Sequence, residues 1–80
     1  MPYHEFFWTR RAVQKVLDNG LTVDEIEYAV LNARKRTVSD SSGRPAYIGE
    51  SPSGDLLFIA FEALDPVLIS IVTAFRIGGS

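Results

Sequence analysis

The eight residues at positions 55–62 decide the fold, and they read Asp55-Leu56-Leu57-Phe58-Ile59-Ala60-Phe61-Glu62. An apolar run of this length, rich in large side chains and preceded by turn residues, is typical of a buried strand. Alternate side chains of a strand lie on opposite faces of its sheet. One face therefore carries Leu57, Ile59 and Phe61, and the other carries Leu56, Phe58 and Ala60, so the sheet is apolar on both sides.

The segment 66–76 predicts a second strand of the same kind. Its alternation places Val67, Ile69, Ile71 and Phe75 on one face, against Leu68, Val72 and Ala74 on the other. Two more strands are predicted at 34–40 and 44–50, with turn residues at 40–43 and 51–54. Because such short connections can only close hairpins, we expect an antiparallel meander of about four strands, to which residues 3–7 could add a short strand.

Two short helices are predicted ahead of the sheet. The first begins after Thr9 as N-cap, ends at Asn19-Gly20, and carries an apolar stripe of Ala12, Val13, Val16 and Leu17. The second begins with the capping box Thr22-Val23-Asp24-Glu25 and carries a stripe of Ile26, Ala29 and Val30. The predicted fold class is α+β, with two N-terminal helices packed on one face of a roughly four-stranded antiparallel sheet, in a single domain spanning 1–80.

Composition excludes several classes of protein. The chain has 80 residues, a formal net charge of −2, no cysteine and a single histidine, His4. Disulfides and thiolate metal sites are therefore ruled out, and one histidine argues against zinc. No stretch approaches the roughly 18 apolar residues of a membrane span, and the first ten residues do not form a signal peptide. We expect a cytoplasmic protein without membrane association, metal or cofactor.

A sheet that is apolar on both faces has to be shielded from water on both, and two short helices can shield only one face. The second cover could be another molecule. The partner interface would then include Leu56, Phe58, Ala60, Leu68 and Val72, and the chain would self-associate or bind a second protein. Alternatively, the N-terminal aromatic residues Tyr3, Phe6 and Phe7 fold over that face.

A basic group is the strongest candidate for chemistry, because no phosphate-binding loop, nucleophile pair or carboxylate pair is present. Cleavage of RNA without a metal needs cations at the scissile phosphate and groups that move protons. The candidate catalytic residues are Arg44, Tyr47 and Arg76, and the candidate RNA-binding residues are Arg34, Lys35 and Arg36. The alternative is that residues 34–36 are charged only because they lie on a solvent-exposed edge strand.

Several short motifs along the chain are similar to those of one bacterial family. The first half carries Phe7-Trp8-Thr9 and Asn19-Gly20-Leu21-Thr22-Val23-Asp24-Glu25-Ile26-Glu27. The second half carries Ser39-Asp40-Ser41-Ser42-Gly43-Arg44-Pro45, Gly49, Ser53-Gly54-Asp55-Leu56-Leu57 and Ile71-Val72-Thr73-Ala74. In this order, over nearly the whole chain, they resemble the BrnT-like toxins of bacterial toxin–antitoxin systems.

The resemblance implies a RelE-like fold and a ribonuclease toxin that a cognate antitoxin-like protein holds inactive. Arg44 falls in the matching Ser-Gly-Arg-Pro block. The arginine that follows Ile-Thr-Ala in the toxins is Phe75 here, with Arg76 one position later and on the opposite face. The Gly-Arg pair before the strong strand is Gly54-Asp55 in this chain.

Two hypotheses of function follow. The first is a toxin-like, metal-independent RNA endonuclease with a composite site of Arg34, Arg44, Tyr47 and Arg76. The second is a non-catalytic interaction module that dimerises or binds an antitoxin-like protein through its apolar sheet face. The acidic isoelectric point, near 5.2, favours the second, and the resemblance favours the first.

Overall fold

Two helices and one five-stranded sheet make up the computed structural model, which describes residues 5–38 and 43–78. The elements in chain order are β1 (Glu5–Phe7), α1 (Arg10–Asp18), α2 (Val23–Leu31), β2 (Lys35–Val38), β3 (Pro45–Glu50), β4 (Leu56–Ala63) and β5 (Leu68–Gly78). The strand order is β1-β5-β4-β3-β2. The expected α+β class is confirmed. In the described part of the chain, no helix is long and apolar enough to cross a membrane.

The sheet is mixed, which corrects the predicted four-stranded antiparallel sheet. Strands β2 to β5 form the predicted antiparallel meander, but β1 pairs in parallel with β5. A parallel neighbour is possible because both helices and three strands intervene between β1 and β5, which gives the chain length to return in the same direction. The predicted turn at 40–43 lies outside the described residues except for Gly43.

Both ends of α1 are set by local hydrogen bonds, as its sequence predicts. The Ala12 amide donates to the side-chain oxygen of Thr9 at 3.0 Å, which caps the first turn. At the other end Gly20 has a φ of +79°, a conformation that glycine adopts without steric cost. The Leu21 amide then donates to the Val16 carbonyl at 2.9 Å, the backward bond of a Schellman ending.

The start of α2 is the predicted capping box. The Glu25 amide donates to the Thr22 hydroxyl oxygen at 3.2 Å, and the Thr22 amide donates to a Glu25 carboxylate oxygen at 3.1 Å. Each bond satisfies an amide that has no partner inside the helix. The acidic first turn, Asp24 and Glu25, also suits the positive end of the helix dipole.

The helices pack on one side of the sheet, here called the helix side, and bury the main core there. The buried residues of this cluster are Val16, Leu21, Ile26, Ala29, Val30, Leu57, Ile59, Phe61, Ile69, Ile71 and Ala74. The opposite side, here called the far side, has no described helix or strand over it. The prediction that Leu57, Ile59 and Phe61 share one face is confirmed, and that face is the helix side.

A β-bulge in β5 changes the faces that its residues occupy. Ala60 pairs with Thr73 while Phe61 pairs with Ile71, so Val72 is an extra residue without a partner in β4. One extra residue reverses the alternation beyond it. Ala74 consequently joins the core on the helix side. Phe75 pairs with Phe58 on the far side, so the predicted faces of Ala74 and Phe75 were wrong.

Gly49 in β3 allows α2 to lie directly against the sheet. A methyl group at this position would collide with the Ala29 carbonyl group of α2 and would lie 3.2 Å from the Cα of Ala33. Backbone atoms cannot move aside as the end of a flexible side chain can. The distance between α2 and β3 therefore requires glycine at position 49.

We predict that Thr22→Ala lowers the free energy of unfolding by about 1 kcal/mol, because the capping acceptor is lost. Thr22→Ser, which keeps the hydroxyl, should melt like the parent. Urea unfolding of the three proteins checks this, and equal midpoints for the alanine variant and the parent would contradict the role of the capping box.

We predict that Gly49→Ala destabilises the protein by about 2–3 kcal/mol through overpacking against α2. Gly78→Ala is the matched control, since a methyl group there would meet only the Leu56 side chain at 3.8 Å, an ordinary contact. Thermal unfolding followed by circular dichroism measures both. A Gly49→Ala protein as stable as the Gly78→Ala protein would show that the helix can shift without cost.

Candidate functional site

Arg36 and Tyr47 lie directly opposite each other on the neighbouring strands β2 and β3. The Tyr47 ring stacks on the Phe61 ring with a centroid distance of 4.7 Å and an angle of 12° between the planes. The guanidinium carbon of Arg36 lies 5.8 Å from the centroid of the same Phe61 ring. The structure thus brings a cation and two aromatic rings together on the helix side of the sheet.

This cluster is anchored in the core and open at its outer edge. Phe61 is 2% exposed, Tyr47 is half-buried and Arg36 is exposed. The main contacts of the helices are with β3, β4 and β5, while β2 lies beyond them as an edge strand. A ligand could therefore approach Arg36 and Tyr47 from the β2 edge, whereas Phe61 holds the Tyr47 ring in a fixed position.

The residue types of this cluster are ones that nucleic-acid contacts use. A guanidinium group presents a planar fork of donors that matches phosphate oxygens. Aromatic rings stack on unpaired bases, which is a common way of holding single-stranded RNA. The phenol of Tyr47 adds a group that can donate or accept a proton. None of these features requires a metal ion.

Arg34 and Arg76 already have carboxylate partners. Arg34 forms an ion pair with Glu50, and the Nε of Arg76 lies 3.0 Å from an Asp55 carboxylate oxygen. The side chains of both arginines are largely exposed, at 72% and 47%, so each pair contributes little to stability and can open at low cost. These two arginines lie at the end of the sheet where β3 ends and β4 begins.

The predicted catalytic residues do not converge on one point. Arg44 directly precedes β3, whereas Arg76 pairs with Leu57, which pairs in turn with Gly49 near the other end of that strand. At about 3.3 Å per residue, the five steps from residue 44 to residue 49 span about 16 Å. We therefore do not expect one phosphate group to contact both Arg44 and Arg76.

The predicted RNA-binding residues are also divided between the two sides of the sheet. Arg36 lies on the helix side with Tyr47, whereas Lys35 pairs with Ile48 on the far side. Arg36 is therefore the member of residues 34–36 that contributes to the cluster. Sequence alternation alone separates Lys35 from Arg36, but it does not reveal that Tyr47 and Phe61 are the neighbours of Arg36.

A polar cleft that the sequence did not indicate lies between the end of α2 and the β3–β4 turn. It is lined by Tyr28, Asn32, Arg34, Glu50, Ser51, Pro52 and Gly54. Ser51 is 3% exposed, and its hydroxyl accepts a hydrogen bond from the Asp55 amide at 3.2 Å and pairs with the Ser53 hydroxyl at 2.9 Å. Since its buried hydroxyl is already bonded, the cleft offers little to a ligand.

The far side carries most of the predicted partner interface. Phe58 and Phe75 stack there with a centroid distance of 5.1 Å, and Phe75 is 41% exposed. Leu56 and Ala60 lie on the same side as Phe58, although Ala60 is buried between its neighbours. Val72 is the bulge residue, and Leu68 is half-buried beside β1. The bulge thus adds Phe75 to this surface.

Two of the three N-terminal aromatic residues, Phe6 and Phe7, do not cover the stacked pair. Phe6 packs against the core on the helix side. Phe7 is 50% exposed and pairs with Ser70, well away from Phe75 along β5. Tyr3, the third residue of that hypothesis, lies outside the described residues.

No protein-family model, no curated protein and no solved structure matches this chain. Within residues 5–38 and 43–78, histidine, aspartate and glutamate side chains form no group of three that could hold a metal ion.

Proposed function

We propose that this chain is a toxin-like component of a bacterial type II toxin–antitoxin system and acts as a metal-independent RNA endonuclease with a RelE-like fold. The observation that carries the proposal is the position of Arg36 opposite Tyr47, over the Phe61 ring, at an edge that the helices leave open. The resemblance to BrnT-like toxins supplies the reaction, and this cluster supplies residue types that suit it.

In the proposed reaction each side chain of the site has one role. The 2′-hydroxyl of a ribose loses its proton to water as its oxygen attacks the adjacent phosphorus atom, and negative charge builds up on the phosphorane oxygens. The bond between phosphorus and the 5′-oxygen then breaks as that oxygen takes a proton, which leaves a 2′,3′-cyclic phosphate. The guanidinium of Arg36 stabilises the developing charge. The phenol of Tyr47 moves a proton between solvent and a reacting oxygen. Arg44, which directly precedes β3 and falls in the Ser-Gly-Arg-Pro block, is the second cation that the resemblance suggests.

A second candidate function is a non-catalytic protein-interaction module. The observation in its favour is the stacked pair of Phe58 and Phe75 on the far side. Clustered aromatic side chains that remain exposed mark protein interfaces more often than isolated apolar residues do. The acidic balance of the whole chain, with ten Asp and Glu against eight Lys and Arg, is also unusual for a protein that binds RNA.

We predict that the parent protein slows growth of a bacterial host and cleaves single-stranded RNA in the presence of a chelator. Arg36→Ala and Arg44→Ala should each reduce cleavage about 100- to 1,000-fold, the usual loss for one charge-stabilising donor. Tyr47→Phe should lower the cleavage rate while RNA binding is kept, because the ring remains. Lys15→Ala, which removes an exposed cation on α1, is the matched control and should cleave like the parent.

All variants should first be shown to unfold at the same temperature as the parent. A parent protein that leaves RNA intact and does not affect growth would contradict the endonuclease and favour the interaction module. Equal losses of cleavage activity in the Lys15→Ala and Arg36→Ala proteins would show that cleavage depends on the overall charge and not on this cluster.

A further inference from the structure

Strand β2 ends the sheet, and its outer edge is open. In the strand order β1-β5-β4-β3-β2, β2 pairs with β3 on one side, and no described strand lies on its other side. Residues of an antiparallel strand direct their amide and carbonyl groups to alternate sides, so two of the four residues of β2 point both groups away from β3. Such a row of backbone donors and acceptors, about 13 Å long, is where an extended peptide can add to a sheet.

The side chains of this edge carry positive charge that the described part of the chain does not neutralise. Lys35 and Arg36 are exposed, and neither has a carboxylate partner among the described residues. Glu50 is the one carboxylate within β3, and it already pairs with Arg34. Because the whole chain has a formal net charge of −2, the charge at this edge is opposite in sign to the average of the protein. The edge therefore attracts an acidic strand.

The same two cations argue against a second copy of the chain at this edge. If two copies paired through β2, Lys35 and Arg36 of each would bring four cations onto two adjacent strands, and like charges on facing strands are destabilising. Lysine on an edge strand is a common protection against such pairing. A charge that repels basic strands also favours acidic ones, so this protection selects the kind of strand that can bind.

From the open edge and its charge we infer that β2 binds an acidic, extended segment of a second protein, which joins the sheet as a sixth strand. The segment runs antiparallel to β2, the slightly more stable direction. One acidic residue faces Arg36 on the helix side, and the next faces Lys35 on the far side. The residue that faces Val38, a side chain 59% exposed, is apolar. From its N-terminus the segment therefore has an apolar residue, a residue of any type that faces Thr37, and two acidic residues.

The added strand would regulate the proposed endonuclease, and this regulation rests on the proposed function. Side chains that face each other on neighbouring strands have Cβ atoms about 5 Å apart, so the carboxylate opposite Arg36 can reach its guanidinium group. The proposed reaction needs that group for the phosphate. The bound strand also fills the edge from which RNA approaches Tyr47. Segment and RNA therefore compete for the same site.

A two-dimensional NMR titration of the ¹⁵N-labelled full chain with a synthetic peptide tests the binding. The probe is the end-blocked hexapeptide Thr-Val-Thr-Glu-Glu-Thr, and the control is the reordered peptide Glu-Thr-Val-Thr-Thr-Glu, which separates the acidic residues. The probe should shift the amide signals of residues 35–38, with a dissociation constant of about 0.1–1 mM because only four residue pairs form. The control should bind about fivefold more weakly, since it cannot form both ion pairs.

Methylation of the peptide backbone separates strand addition from attraction between charges. Every second amide of an added strand donates to β2, and the others point to solvent. Of two probe peptides N-methylated at alternate positions, one should bind like the probe and the other should lose binding. Equal binding by the two methylated peptides, or equal binding by the probe and the reordered control, would overturn the added strand.

Charge reversal on the protein tests the position of the segment. Lys35→Glu and Arg36→Glu should each weaken probe binding about tenfold, because an attraction becomes a repulsion. Arg11→Glu is the matched control, since Arg11 is exposed in the first turn of α1 and its reversal should leave binding unchanged. Lys35→Gln and Arg36→Gln provide a second test if the reversed variants do not fold. Equal losses in the Arg11→Glu and Arg36→Glu proteins would overturn the proposed edge.

RNA cleavage in the presence of the probe tests the regulation separately. At a probe concentration four times its dissociation constant, about one fifth of the protein is unoccupied, so cleavage should fall about fivefold. Unchanged cleavage while the β2 signals shift would overturn the regulation. A parent that binds the probe but cleaves no RNA would overturn the endonuclease and support the added strand. A parent that cleaves RNA but does not bind the probe would overturn the inference and leave the endonuclease standing.

Discussion

The close contact between α2 and Gly49 is the constraint on which the rest of the structure depends. With no side chain at position 49, the Ala29 carbonyl group reaches the β3 backbone, and the helix can bury its apolar stripe against Leu57 and Ile59. A helix held at this distance covers β3 and β4 but does not extend over β2. The exposure of Arg36 beside Tyr47 is thus a consequence of where a glycine allows the helix to lie.

The bulge at Val72 determines which side chains lie on the far side, as Gly49 determines where α2 lies on the helix side. Uninterrupted alternation in β5 would have placed Phe75 in the core and Ala74 outside. With one extra residue, the small Ala74 fits under the helices and the ring of Phe75 stacks on Phe58 instead. The bulge therefore determines that the far side ends in a stacked aromatic pair, which is the surface that the proposed interaction module would use.

Sequence signals that involve neighbouring residues predicted the helix ends well. They did not predict contacts between residues that are far apart in the chain. The caps at Thr9 and Thr22 and the ending at Gly20 depend on neighbours within a few residues, so the sequence contains all the participants. The parallel pairing of β1 with β5 joins segments about sixty residues apart, and the bulge depends on how β4 and β5 fit together. For the site, alternation separated Lys35 from Arg36, but the carboxylate partners of Arg34 and Arg76 are set by the pairing of whole strands.

The two proposed surfaces occupy opposite sides of the same strands, and this limits how independent they can be. Tyr47 and Ile48 are consecutive in β3, as are Phe58 and Ile59 in β4, so one residue of each pair faces each side. A partner that packs on Phe58 and Ile48 would restrain the backbone that positions Tyr47. Because the cluster of Arg36, Tyr47 and Phe61 depends on the register of three strands, such restraint would act on the geometry of the site without blocking access to it. A protein bound to the far side would therefore change the rate of the proposed reaction at the β2 edge while leaving the proposed RNA contacts open.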